Sequence, residues 1–224
     1  MVKENIFNIK ERISLISSKI KKNPESITIV AVTKGRTEEQ IRESVDAGIT
    51  DIGENRVQEA LAKYNELQTP CLAGRQANSL PGRQAGKLRT IRWHMVGHLQ
   101  TNKVKDAVKI FDLIQSVDSL HLALEIDRQA AKINKIQDIL IEVKTSPEAT
   151  KFGIKPDEVV EVIKEMAKLK NINIKGLMTI APIMDSPGKT RLYFRMLREL
   201  KDKFNELRTP NSLPSRQAGV LQTL

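Results

Sequence analysis

Six short apolar runs, each parted from the next by a stretch with helical spacing, limit what this chain can become. The runs are "ITIVAVTK", "ITDIGEN", "IRWHMVG", "DLIQSV", "DILIEVK" and "INIKGLMTI". Between them lie "TEEQIRESVDAG", "VQEALAKYNEL", "TNKVKDAVK", "SLHLALEIDRQAAKIN" and "PDEVVEVIKEMAKLK", and a last helical pattern runs from Lys189 to Leu207. An opening helix, "KENIFNIKERISLISSKIKK", carries Ile6, Ile9, Ile13 and Ile16 at helical spacing. Strand and helix in regular alternation predict parallel strands with right-handed crossovers, hence a doubly wound sheet or a (β/α) barrel. Local signals sharpen the boundaries: Thr37 with Gln40 three residues on as a capping box, Gly48 as a stop, and Pro156 in a first helical turn.

Both candidate folds put their chemistry at the carboxyl ends of the strands, and in a barrel these ends meet at one mouth. Polar residues collect there: Lys34 after the first strand, Glu54 and Asn55 after the second, and His94 and His98 around the third. Lys144 and Thr145 follow the fifth, and Thr179 the sixth. No G-x-G-x-x-G turn follows the first strand and no G-x-x-x-x-G-K-[ST] occurs, which removes the main support for dinucleotide or P-loop readings. The expected fold class is α/β, a (β/α) TIM-type barrel.

Composition excludes several functions. The 224 residues suit one large domain, with 40% apolar and 29% charged residues. No apolar run approaches the roughly 18 residues of a membrane span, and the amino terminus reads as a polar amphipathic helix, so a cytoplasmic protein without membrane contact is expected. The single Cys71 excludes an internal disulfide and a Cys-based zinc cluster, in keeping with a reducing compartment, and no bare metal site is expected. The net charge of +10 is spread over helix faces among carboxylates, as in "EVIKEMAKLK", and aromatic residues are 4% of the chain. Solvated helix faces are therefore expected rather than a nucleic-acid surface.

Two stretches break the alternation. Residues 65–86, "NELQTPCLAGRQANSLPGRQAG", and 205–219, "NELRTPNSLPSRQAG", are versions of one another with little apolar content. They read as polar insertions of the kind exposed loops absorb.

Lys34 has two readings: a solvated charge at a strand tip, or an amine desolvated in a barrel mouth, whose lowered pKa would let it attack a carbonyl and form a Schiff base. In "DIGENRVQEA", residues 51–60, either a strand simply turns into a helix or Asn55 is aimed at a ligand oxygen. "WHMVGHLQTNK" sets His94, Gly97, His98 and Asn102 around one strand end. Gly97 argues against a helical metal pair, and His94, inside a strand, is more often a satisfied core histidine. "TKFGI" and "GLMTIAP" bring Lys151, Gly153 and Met178 to strand-end loops, lining the mouth or packing.

Taken together and in this order, "VAVTK", "DIGENRVQE", "WHMVGHLQTNK", "KFG" and "GLMTIAP" resemble the pyridoxal 5′-phosphate homeostasis proteins, a family related to the barrel domain of alanine racemase. The resemblance covers about residues 3 to 207. It implies that Lys34 forms the internal aldimine with pyridoxal 5′-phosphate, that Asn55 faces the cofactor, and that His94, Gly97 and Met178 line its surroundings. It further implies a monomeric cofactor carrier or regulator without established turnover, with pyridoxal-phosphate-dependent apoenzymes as candidate recipients. A racemase is the alternative, but it usually needs an acid or base opposite the lysine, and Tyr64 and Tyr193 both fall in helical patterns.

Family members continue with two more strands where the second repeat copy stands. Residues 1–207 are accordingly expected to be an incomplete barrel, truncated after its sixth βα unit and interrupted by the insertion at 65–86. Residues 208–224 are expected to be a disordered, repeat-derived tail. Loops after strands seven and eight frequently bind phosphate in such barrels, so an impaired or non-functional, poorly stable copy is a further expectation.

Overall fold

Helix α2 (Glu38–Asp46) begins as the sequence predicts. The Thr37 hydroxyl accepts the Gln40 amide at 3.4 Å and the Gln40 side chain accepts the Thr37 amide at 3.2 Å, satisfying two amides that the helix itself leaves unpaired. Its end is equally local: Gly48 takes φ +85°, and the amides of Gly48 and Ile49 return to the carbonyls of Val45 and Ser44 at 2.9 and 3.1 Å.

The computed structural model of the protein describes residues 1–68, 91–148, 151–207 and 222–223. Most of the first insertion, including Cys71, and most of the 208–224 segment lie outside the described residues. Two compact units, Met1–His94 and Met95–Leu224, divide the chain.

In the first unit, α1 (Val2–Lys19) packs on α2, and the strands run in the order β1 (Val30–Val32), β2 (Asp51–Glu54), β3 (Arg92–Met95), the last reaching the boundary. β1 and β2 are parallel, with Val30 opposite Asp51 and Val32 opposite Gly53, while the Arg92 amide donates to the Thr50 carbonyl at 2.9 Å. Helix α3 (Val57–Gln68) covers one face: Lys63 meets Glu54, and Tyr64 lies edge-on to Trp93 with ring centroids 5.4 Å apart. Strand side chains alternate, so Asp51, Gly53 and His94 belong to the opposite face. The expected stripe of α1 is half used. Ile6 and Ile13 are half-buried, while Ile9 and Ile16 are 46% and 56% exposed, because α1 leans on α2 along one flank.

In the second unit, a 3₁₀ turn (Thr101–Lys103) leads into α4 (Val104–Ile110), followed by β4 (Leu113–Val117), α5 (Leu120–Lys132), β5 (Gln137–Glu142), α6 (Val159–Met166), β6 (Ile172–Met178) and α7 (Pro187–Leu207). β4, β5 and β6 pair in parallel, and β7 (Gln222–Thr223) adds to β6 with Gly176 opposite Gln222 and Leu177 opposite Thr223. No sequence pattern announced β7, whose two residues lie within the stretch expected to be a tail. Ile139 and Ile141 on one face of β5 and Leu140 and Glu142 on the other are all buried. Burial on both faces is what a parallel strand under helices requires, and it explains why "DILIEVK" reads as a run rather than an alternation. Pro156 falls in a turn before α6, not in its first turn: the Glu158 amide bonds the Lys155 carbonyl at 3.0 Å, three residues back, and the helix starts at Val159. Among the described residues no helix is long and apolar enough to cross a membrane.

Candidate functional site

Carrying the β1–β2 register past Val32 and Gly53 sets Thr33 beside Glu54 and Lys34 beside Asn55. The contacts agree: the Thr33 amide donates to the Gly53 carbonyl at 2.9 Å, and the Thr33 hydroxyl donates to the Glu54 carboxylate. Thr33 and Glu54 thus face α3. Lys34 and Asn55, one residue further, continue the face that carries Val32, Asp51 and His94. Two of the five residues expected at the cofactor stand side by side at neighbouring strand ends.

The environment of Lys34 differs from the expectation. A desolvated amine was expected, but Lys34 is exposed, as is Val32 at 48%, two residues earlier on the same face. Among the described residues β1 has a strand neighbour, β2, along one edge only. Asn55 is half-buried. Among the described residues the Lys34 amine has no hydrogen-bond or ion-pair partner, whereas the backbone on both sides of it is held.

A second lysine holds it. Lys63 Nζ donates to the Thr33 carbonyl at 2.6 Å and to Oε1 of both Glu54 and Glu59 at 2.7 Å. Glu59 Oε1 also accepts the Gly35 amide at 2.7 Å. Burial alone would pull the Lys63 amine down, but its hydrogen bonds to Glu54 and Glu59 outweigh that and hold its pKa above the ordinary lysine range. The Lys63 hydrogen bond, then the Gly35 amide, hold Glu59 below the usual carboxylate range. Sequence reasoning singled out neither Lys63 nor Glu59, although their i, i+4 spacing on one helix was a legible signal.

His94 is buried within its strand. Its Nε2 lies 2.9 Å from Asp51 Oδ1, with side chains 3% and 4% exposed, and the Thr50 hydroxyl donates to Asp51 Oδ2 at 2.6 Å.

In the second unit, the β4, β5 and β6 ends form a polar group of their own. His98 Nδ1 sits 3.1 Å from Asp118 Oδ2, and its ring stacks on Phe152 with centroids 3.8 Å apart. The Thr145 and Thr179 hydroxyls are 2.8 Å apart, and Thr179 donates to the Val143 carbonyl at 2.8 Å. Gly97, at the start of this unit, is half-buried, and Met178 is 6% exposed, packed with Leu113 and Leu140.

Glu142, opposite Met178 in the β5–β6 register, is 5% exposed. Burial first, and the Asp118 charge second, push its carboxyl up to about 7, with Lys151 opposing. Because the folded value lies above the ordinary 4.5, the folded chain keeps a proton between these values that the unfolded chain has lost. This stabilisation is fully present below pH 4.5 and is lost as pH rises through about 7. Chemical denaturation from pH 5 to 8 should therefore show the native chain losing about 2.5 kcal/mol relative to Glu142→Gln. Parallel curves for the two proteins would refute it.

Comparison with known proteins gives this geometry a context. Residues 5–215 match the family model described as alanine racemase, N-terminal domain. A pyridoxal phosphate homeostasis protein of Aquifex aeolicus is 36% identical over 200 residues, which cover 89% of this chain and 79% of the relative. A solved structure of an unknown protein from Bifidobacterium adolescentis superposes with a TM-score of 0.80 at 28% identity, covering 94% of this chain and 81% of the other. PipY of Synechococcus elongatus PCC7942, solved with PLP bound, gives a TM-score of 0.69 at 32% identity, with 87% and 82% coverage.

Proposed function

Because the chain belongs to the alanine racemase N-terminal domain family, and within it to the pyridoxal phosphate homeostasis proteins, we propose that it binds pyridoxal 5′-phosphate and holds it covalently on Lys34. The observation that carries this reading is an exposed amine, without a partner among the described residues, beside Asn55 at adjacent ends of β1 and β2, on a backbone held from both sides. When bound, the cofactor would supply an aldehyde, the group with which a primary amine condenses with loss of water. Lys34 provides the amine, and Asn55 offers an amide to a ligand oxygen beside it. The Asp51–His94 pair stiffens the strands behind them. The resemblance adds Gly97 and Met178 to the same reading.

The proposed role is that of a cofactor carrier or regulator in pyridoxal phosphate homeostasis, delivering to pyridoxal-phosphate-dependent apoenzymes, rather than a racemase. Racemisation usually requires a second acid or base facing the lysine. Tyr64 is engaged with Trp93 under α3, on the side of the strands away from Lys34, and Tyr193 is 9% exposed on α7.

Incubation of the chain with pyridoxal 5′-phosphate, borohydride reduction and peptide mass mapping tests the reading. The adduct is expected on the peptide containing Lys34, in excess over every other lysine. An unmodified Lys34, or labelling no greater than that of exposed Lys164, overturns it.

A further inference from the structure

We propose that the Lys63–Glu54–Glu59 cluster is a positioning device that fixes the direction in which Lys34 leaves the sheet and keeps Lys63 itself out of the reaction. The inference rests on the reading of Lys34 as the cofactor amine and adds to it the residues that aim that amine.

Two peptide planes meet at the Cα of Lys34. The carbonyl of the first belongs to Thr33, and it accepts Lys63 Nζ at 2.6 Å. The amide of the second belongs to Gly35, and it donates to Glu59 Oε1 at 2.7 Å. Rotation of these planes is what φ and ψ of Lys34 describe, so pinning both fixes the Cα–Cβ direction. Gly35 at φ +64° turns the chain away immediately afterwards. The anchor is stiff. Thr33 is tied to β2 through the Gly53 carbonyl and the Glu54 carboxylate, Glu54 is fully buried, and Lys63 is 12% exposed.

The same contacts separate two nearby amines. An ammonium has three N–H donors, and Lys63 gives one each to Thr33, Glu54 and Glu59. To attack an aldehyde it would have to give up a proton and break these bonds between two carboxylates. Lys34 has none to break among the described residues. Glu54 thus serves both lysines: it accepts the hydroxyl of Thr33, the residue before Lys34, and it offsets the charge of Lys63.

Two measurements on the full chain test this. The first needs no cofactor: amide hydrogen exchange in the peptide over residues 33–37. Glu59→Ala and Lys63→Met should each speed exchange there by about tenfold, the equivalent of one lost charge-assisted hydrogen bond, while β5 is unchanged. The second follows the rate of borohydride-trapped labelling at Lys34 relative to Lys164. That ratio should fall about tenfold in Lys63→Met and recover in Lys63→Arg, whose guanidinium also donates to several acceptors. Unchanged exchange at 33–37 in the folded Glu59→Ala chain overturns the proposal, as does an unchanged labelling ratio in folded Lys63→Met. A native chain that leaves Lys34 unlabelled counts against the cofactor reading itself, and the exchange measurement then decides the cluster alone.

Discussion

The Lys34→Ala chain should fold as the native one does and lose its covalent cofactor completely. Truncation of an exposed side chain with no partner among the described residues is expected to change stability by no more than about 0.5 kcal/mol. The expected loss is therefore chemical. Mixed with pyridoxal 5′-phosphate and reduced with borohydride, the variant should carry no adduct on its 33–37 peptide and no more label elsewhere than native protein shows at its exposed lysines. Lys63 should not take over, because its three donors are committed and its amine is held above the ordinary lysine range by Glu54 and Glu59. Two outcomes contradict this. Full labelling at Lys63 would mean that the ion cluster opens easily. A variant that binds as much reducible cofactor as the native chain would place the covalent site elsewhere.

The second large effect concerns Gly153, where the loop after β5 folds back on its strand. The Ile154 amide donates to the Glu142 carbonyl at 2.8 Å, and the Lys144 amide donates to the Ile154 carbonyl at 2.9 Å. This return needs a residue at φ +117° pressed on backbone: a methyl group there would sit 2.6 Å from Lys144 N and 2.9 Å from the Val143 carbonyl carbon. Neither atom can swing away as a side-chain tip would. Gly153→Ala combines an unfavourable backbone region with overpacking, and should destabilise the second unit by about 3–5 kcal/mol. Gly35→Ala is the control. It also has positive φ, +64°, but open space around its Cβ position, so about 1 kcal/mol is expected. Urea midpoints decide it: equal losses in the two variants would mean that close approach at Gly153 contributes nothing.

Such a loss would reach the strand ends directly. Phe152 stacks on His98, and Lys151 opposes the raised carboxyl of Glu142, so both depend on the Gly153 return. The sequence showed "KFG" as a strand-end loop without showing why its glycine is needed. The reason is a contact between Gly153 and backbone nine residues earlier, which no local pattern encodes.

Other features were legible because their causes are local. The Thr37 box, the Gly48 stop and the six strands follow from a capping geometry, a left-handed glycine and runs of apolar residues, and the described structure contains them all. Lys34 and Asn55 were legible as a pair because strand ends in parallel α/β units fall at predictable places, and the β1–β2 register sets the two side by side. Asp118, Glu142, Glu59 and Lys63 were not singled out. Each looks in sequence like an ordinary helix or strand-end charge, and each acquires its role from a partner on another element or from burial.

By itself, then, the order of residues determined the alternation of elements, the strand tips that carry polar groups and the family to which they belong, since these depend on short-range propensities and periodicity. Packing decided the rest. Whether the amine at position 34 lies in a dry cleft or reaches solvent depends on what covers the outer face of β1. Which of two neighbouring lysines is immobilised by carboxylates depends on how α3 lies against β2. Solvent exposure and charge pairing are properties of surfaces assembled from distant segments, and they exist once those segments have met.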